Sequence, residues 1–154
     1  MVIHEAGIMV RGYPLVYSTY HQTGIKEIDV VLRSGLLSGI LNFIDTAYIN
    51  EEIEYIESKK YTIAFKVDEI VGLRSIGPEP IVAYAILDKE KKLDKFISKN
   101  VIPFLKKVAK KFAKDYTGKN LSEVSQFVAF KKYLDNIFEV ESKSIEEKFK
   151  DIIL

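Results

Sequence analysis

The 154-residue sequence has no cysteine, only two histidines and a formal net charge of just +1. Without cysteine the chain has no disulfide framework, no thiolate for a metal ion and no cysteine nucleophile, which favours an intracellular protein. It also lacks a signal-peptide pattern and any run of about 18 uncharged apolar residues of the kind that spans a membrane. These absences predict a soluble, cytoplasmic protein, with a peripheral position at a membrane left open.

The sequence motifs of the common enzyme classes are missing too. There is no G-x-S-x-G, no P-loop, no G-x-G-x-x-G and no H-E-x-x-H. The glycines of residues 72–80 are too sparse for a phosphate cradle. We therefore predict no catalytic residue, no cofactor and no metal, and a protein that is not an enzyme; an enzyme without a recognisable motif remains the less favoured alternative.

The histidines and the acidic residues are the remaining candidates for chemistry. His4 and His21 lie at opposite ends of a predicted hairpin, which would offer two imidazoles to a metal ion if it brought them together. No suitably spaced carboxylate completes a tetrahedral site, so we favour two histidines without a metal. The acids that cluster in residues 45–57 follow a helix end and alternate along a strand, where exposed acids are expected. They are Asp45, Glu51, Glu52, Glu54 and Glu57.

The length and the composition, 47% apolar and 29% charged, fit one globular domain. Alternation and Gly/Pro turn signals predict five strands, at residues 3–11, 14–19, 53–57, 61–67 and 81–87. The last of these is apolar on both faces, as expected at the centre of a sheet. Residues 68–80 are predicted to form the longest irregular stretch.

Helices are predicted by apolar spacings of three and four residues. The first covers residues 28–43, where Gly35 and Gly39 suggest a close approach of the helix backbone to a sheet. The second covers 89–116 and should divide near Asn100 or Val101, since Pro103 lacks a backbone donor. A third follows residue 122, and residues 142–154 add a short terminal helix. The apolar stripe of the third helix is Val124, Phe127, Val128, Phe130 and Leu134.

The predicted fold class is therefore α+β, with a five-stranded antiparallel sheet flanked by helices in the order β-β-α-β-β-β-α-α. Residues 1–140 form the domain, and residues 141–154 form a C-terminal helical extension.

Charge is segregated along the chain although it cancels in total. Residues 1–88 hold seven basic and twelve acidic side chains, whereas residues 89–120 hold eleven lysines and three acids. At about 100° per residue, five of these lysines fall on one arc of the second helix, opposite its apolar stripe. We call this arc the lysine face; it comprises Lys106, Lys107, Lys110, Lys111 and Lys114.

The lysine face has two interpretations. It is either a solvated surface that complements the helix dipole, or a docking surface for an acidic protein or an anionic membrane. Nucleic acid is not expected, because arginine and exposed aromatic residues are missing beside these lysines.

The element order and the apolar pattern of residues 3–137 resemble the longin-like domains, relatives of the roadblock and profilin-like architectures. The resemblance is carried by a few segments. They are the hairpin of Gly7-Ile8-Met9-Val10 and Pro14-Leu15-Val16, the helix with Leu32, residues 34–38 and 40–43, the hairpin 53–67, the strand 81–87, and the helix ending near Phe112 and Tyr116. The lysine-rich, glutamate-rich, cysteine-free composition looks like that of an archaeal member.

This resemblance implies a non-enzymatic interaction or scaffold domain, of the kind that serves small-GTPase regulation or membrane-traffic complexes. Its implied partners are a protein, such as a small GTPase or another longin or roadblock domain, a second copy in a homodimer, and an anionic membrane at its periphery. The alternative is a small-molecule sensor of the same architecture, in which residues 68–80 close over a pocket beside the sheet.

Overall fold

The computed structural model describes residues 3–10, 13–20, 39, 55–57, 61–74, 76–89 and 93–138. Five strands form one antiparallel sheet. Together with the helices described below, this sheet confirms the predicted α+β class. The strands are β1 (Ile3–Val10), β2 (Tyr13–Thr19), β3 (Tyr55–Glu57), β4 (Tyr61–Ile70) and β5 (Glu79–Asp88). Their order across the sheet is β2-β1-β5-β4-β3.

Strand β5 lies at the centre of the sheet, between β1 and β4. Its side chains alternate between two buried clusters, with Ala83 and Ala85 in one and Val82 and Tyr84 in the other. A strand that is covered on both faces must be apolar on both faces, so the prediction of a central strand at residues 81–87 is confirmed.

Strands β4 and β5 are longer than the sequence pattern predicted. They pair in unbroken register from Tyr61 with Asp88 to Ile70 with Glu79. The predicted irregular stretch at residues 68–80 is therefore wrong at both ends, because backbone hydrogen bonds extend the ladder through polar residues and through Pro80. The loop between the two strands is residues 71–78.

The helical segment after β5 is interrupted where a division was predicted. It begins as α1 (Leu93–Phe96), passes through a π-helical turn at Ile97–Val101 and continues as α2 (Ile102–Tyr116). In the π-helical turn the Ile102 N–H donates to the Ile97 carbonyl, five residues back. Pro103 is then the second residue of α2, directly after the π-helical turn, and because it lacks a backbone donor a disturbance of the regular helical hydrogen bonds is expected at this point.

A 3₁₀ turn at Val124–Phe127 leads into the last described helix, α3, at residues 128–138. Phe127, Phe130 and Leu134 are buried as predicted, but Val124 and Val128 are each 61% exposed. Including these two valines in the apolar stripe was wrong. Val128 lies about 100° around the helix from Phe127, and Val124 belongs to a run of four exposed residues, 122–125.

Helices α2 and α3 pack on one face of the sheet. Phe112 of α2 contacts three aromatic rings, those of Tyr116, Phe127 and Phe130, with centroids 4.8 to 5.4 Å apart. Aromatic pairs at this spacing each add about 0.5–1.5 kcal/mol beyond the burial of their area. This cluster fixes the rotation of α2 and so determines which of its side chains point away from the sheet.

Several predictions fall on residues outside the described ranges. They are the terminal helix at 142–154, the extension at 141–154, most of the helix at 28–43, and the side chains of His21, Asp45, Glu51, Glu52 and Glu54. Gly39 is described, and it is helical and exposed. A Cβ at Gly39 would meet no atom within 4 Å, so the close approach predicted there is wrong.

Candidate docking surface

The lysine face lies on the solvent side of α2, as its spacing predicted. The opposite side of the helix carries Leu105, Val108 and Phe112, each with no exposed surface. All five lysines are exposed. This separation follows from the 3.6-residue period, since lysines and apolar residues alternate in pairs along residues 104–114. The placement of the five lysines is confirmed, and their role stays a prediction.

One lysine of the face has an acidic partner. Lys111 Nζ lies 2.9 Å from Asp115 Oδ2, one turn further along α2, and 5.4 Å from the centre of the Tyr133 ring on α3. The hydrogen bond that the Lys111 ammonium donates to Asp115 is the main reason that the pKa of Lys111 is raised above its ordinary value. Lys111 is thus a charge held in place between two helices.

The other four lysines have no acidic side chain within 4 Å among the described residues; Lys107 Nζ lies 6.0 Å from the centre of the Phe104 ring. They are Lys106, Lys107, Lys110 and Lys114. Several like charges within about 10 Å of one another, the screening length at 0.1 M salt, act together on an approaching anion. The arrangement can attract an acidic surface.

His4 is bound inside the fold. It is buried, its Nε2 lies 2.5 Å from Asp88 Oδ1, and its ring meets the Tyr61 ring edge-on with centroids 5.4 Å apart. The contact ties the start of β1 to the end of β5. Among the described residues no group of three His, Cys, Asp or Glu side chains is arranged to hold a metal ion.

A second buried polar pair was missed by sequence reasoning. The Tyr84 hydroxyl donates to Glu5 Oε2 at 2.6 Å, and both side chains are almost wholly buried. The sequence carries only a weak sign of this pair. Positions 5, 7 and 9 lie on one face of a strand, so Glu5 shares a face with the apolar Met9. Because a buried carboxylate needs donors, this pair constrains the fold.

Sequence reasoning also missed exposed apolar residues in the loop between β4 and β5. Val71, Leu73 and Ile76, which we call the apolar tip, are 42%, 56% and 109% exposed. The Leu73 N–H donates to the Lys119 carbonyl at 3.0 Å, and the Gly118 N–H donates to the Val71 carbonyl at 2.7 Å. The loop is thereby joined to the turn that follows α2.

No family model, no curated protein and no solved structure matches this chain. No helix in the part of the chain that the structure describes has the length and apolar character needed to cross a bilayer.

Proposed function

We propose that this chain is a non-enzymatic, cytoplasmic interaction domain that binds an acidic protein surface through the lysine face. The observation that supports the proposal is the set of five exposed lysines on one side of a helix that is rigidly packed on its other side. Four of them lack an acidic partner among the described residues, so their charge is available to an incoming one.

The geometry favours a protein partner of broad acidic surface. Helix α2 rises about 1.5 Å per residue, so Lys106 and Lys114 are separated by about 12 Å along its axis. Lysine is a flexible point charge with no fixed fork of donors, which suits a diffuse acidic patch better than one bidentate anion. Such contacts raise association rates and weaken with added salt.

The longin-like resemblance supplies the class of partner in this proposal. The partners that this resemblance implies are a small GTPase, another longin or roadblock domain, or a second copy of this chain. A peripheral position at an anionic membrane is part of the same proposal, because lysines that attract an acidic protein also attract acidic lipid.

The test uses poly-L-glutamate as a defined acidic probe. The five lysines of the lysine face are changed together to glutamine, and binding is compared with that of a control variant of equal net charge. In the control, five exposed lysines elsewhere are changed to glutamine: Lys89, Lys95, Lys99, Lys131 and Lys132. We expect the dissociation constant to rise at least about tenfold in the first variant and to change less than about threefold in the control.

Equal weakening in the two variants would show that only total charge matters and would overturn the lysine face as the docking surface. Absence of any poly-L-glutamate binding by the wild-type chain at low salt would overturn it as well. Light scattering on the same samples reports whether the chain is a dimer and whether either variant changes its mass.

A further inference from the structure

We propose that the apolar tip is a membrane-docking element that enters the interfacial region of an anionic bilayer. Its three side chains account for half of the six exposed large apolar residues in the described part of the chain. Ile76 is as exposed as in an isolated peptide. Three exposed apolar side chains within six residues of one loop indicate a contact surface, whereas single exposed apolar residues are ordinary.

The apolar tip is held in a defined position. Two backbone hydrogen bonds, through Leu73 and Val71, connect it to the turn at residues 118–119. Arg74, between Leu73 and Ile76, has a φ of 65°, a left-handed conformation that is unfavourable for a side chain with a Cβ. A strained residue persists only where its surroundings determine the conformation. The loop is therefore a built feature that presents Leu73 and Ile76 outward.

The charges near the tip fit an anionic bilayer. Residues 71–78 contain one charged side chain, Arg74, and no acid. Lys119, whose carbonyl accepts the hydrogen bond from Leu73, is exposed, and Lys114 lies four residues before Gly118. The nearest acids in sequence, Glu69 and Glu79, lie in the strands behind the loop and not in it. Apolar side chains flanked by cations are the pattern that binds bilayer interfaces.

A bilayer suits the shape of this feature better than a protein groove does. Leu73 and Ile76 are exposed to solvent, and a protein partner would need a cavity fitted to these two side chains. The interfacial layer of a bilayer adapts to any protrusion and buries apolar side chains to a depth of about 5–10 Å. This proposal goes beyond the proposed function and does not depend on it, because the apolar side chains of Leu73 and Ile76 carry the insertion. Lys114 is the one residue that the lysine face shares with the surroundings of the tip.

Insertion is tested first with a fluorescent reporter, since the natural chain contains no tryptophan. The variant Ile76→Trp places a single tryptophan in the tip. The control Thr19→Trp places one on β2, an exposed position at the end of the sheet opposite the loop. With vesicles of phosphatidylcholine and about 30% phosphatidylserine, we expect a blue shift and quenching by brominated lipid for Ile76→Trp only.

Affinity is tested by vesicle sedimentation of the otherwise wild-type chain. The double variant Leu73→Ser/Ile76→Ser should lower the partition coefficient on anionic vesicles at least about tenfold, because it removes the inserted apolar surface. The control Val128→Ser alters a side chain of similar exposure on α3 and should change it less than about twofold. Vesicles of pure phosphatidylcholine should bind more weakly than anionic ones.

Three results would overturn the proposal: no sedimentation of the wild-type chain with anionic vesicles at low salt, equal blue shifts for the two tryptophan variants, or equal losses for the double variant and Val128→Ser. Binding to poly-L-glutamate without binding to vesicles would reject the membrane-docking tip and the peripheral membrane position, and would leave the docking of an acidic protein by the lysine face standing. Vesicle binding that depends on the tip, without binding to poly-L-glutamate, would support the membrane-docking tip and overturn the lysine face as a docking surface.

Discussion

Gly7 in the centre of β1 offers a sharp test of the packing. A Cβ at this position would lie 2.5 Å from the Val16 carbonyl oxygen and 2.8 Å from Tyr17 Cβ. Both belong to the neighbouring strand β2, where Gly7 pairs with Tyr17. Because carbon and oxygen in contact need more than 3 Å, the change Gly7→Ala must displace the β2 backbone by several tenths of an ångström.

Two opposing effects determine the magnitude. Alanine is favoured over glycine within a strand by about 0.5–1 kcal/mol, since it loses less backbone entropy on folding. Forcing one methyl group into a packed site costs about 1–3 kcal/mol when the obstructing atoms cannot rotate away. The backbone of β2 cannot, so the two ranges subtract to a net destabilisation of up to about 2.5 kcal/mol, with a middle value of about 1 kcal/mol.

The matched control is Gly77→Ala in the loop between β4 and β5. A Cβ there meets no atom within 4 Å, and Gly77 does not have a positive φ. The same chemical change should therefore stabilise the protein by about 0.4–1 kcal/mol through the unfolded chain. Urea denaturation followed by circular dichroism measures both variants. If Gly7→Ala is as stable as Gly77→Ala, the close approach of β1 and β2 at Gly7 is refuted.

Three further predictions concern the left-handed backbone at Arg74 and Gly118, the hydrogen bond between Tyr84 and Glu5, and the burial of Tyr133. Arg74→Gly should stabilise the protein by about 1 kcal/mol by relieving a left-handed backbone, whereas Gly118→Ala, at a φ of 80°, should destabilise it by a similar amount in the same urea assay. Tyr84→Phe should cost about 1.5–3 kcal/mol, because buried Glu5 loses a donor 2.6 Å away; a loss under about 0.5 kcal/mol contradicts this. Burial raises the pKa of Tyr133 above its ordinary value of 10.0. The folded chain then ionises Tyr133 after the unfolded chain does, so this contribution to stability is complete below pH 10 and falls as pH rises further. Tyr133→Phe should flatten that alkaline decline, and absorbance titration of the phenolate should lose a late-titrating group.

The strands and α2 were predictable because their signals are local. Alternation in β4, apolar residues on both faces of β5 and the 3.6-residue period of α2 each reflect which side of an element meets the core. The five lysines followed from the same period. Strand ends were less predictable, because the ladder from β4 to β5 continues through Glu69 and Pro80 by backbone hydrogen bonds that do not depend on side-chain polarity.

The features that sequence reasoning missed depend on distant residues. Glu5 and Tyr84 are 79 positions apart, and their pairing requires the register of β1 on β5. The exposure of Leu73 depends on a hydrogen bond to residue 119, which no local pattern reports. Val128 is apolar, as core residues are, but it is not on the buried side, where Phe127 and Phe130 lie.

The strand order also has a consequence during synthesis of the chain. Strand β1 begins at residue 3, yet one of its two neighbours, β5, ends only at Asp88. At about 5–20 residues per second, a ribosome needs roughly 4–17 s to add the residues between them. Throughout that interval one side of β1, including its apolar Ile8 and Met9, has no strand to pair with. Until β5 emerges, this unpaired edge of β1 is open to pairing with other chains.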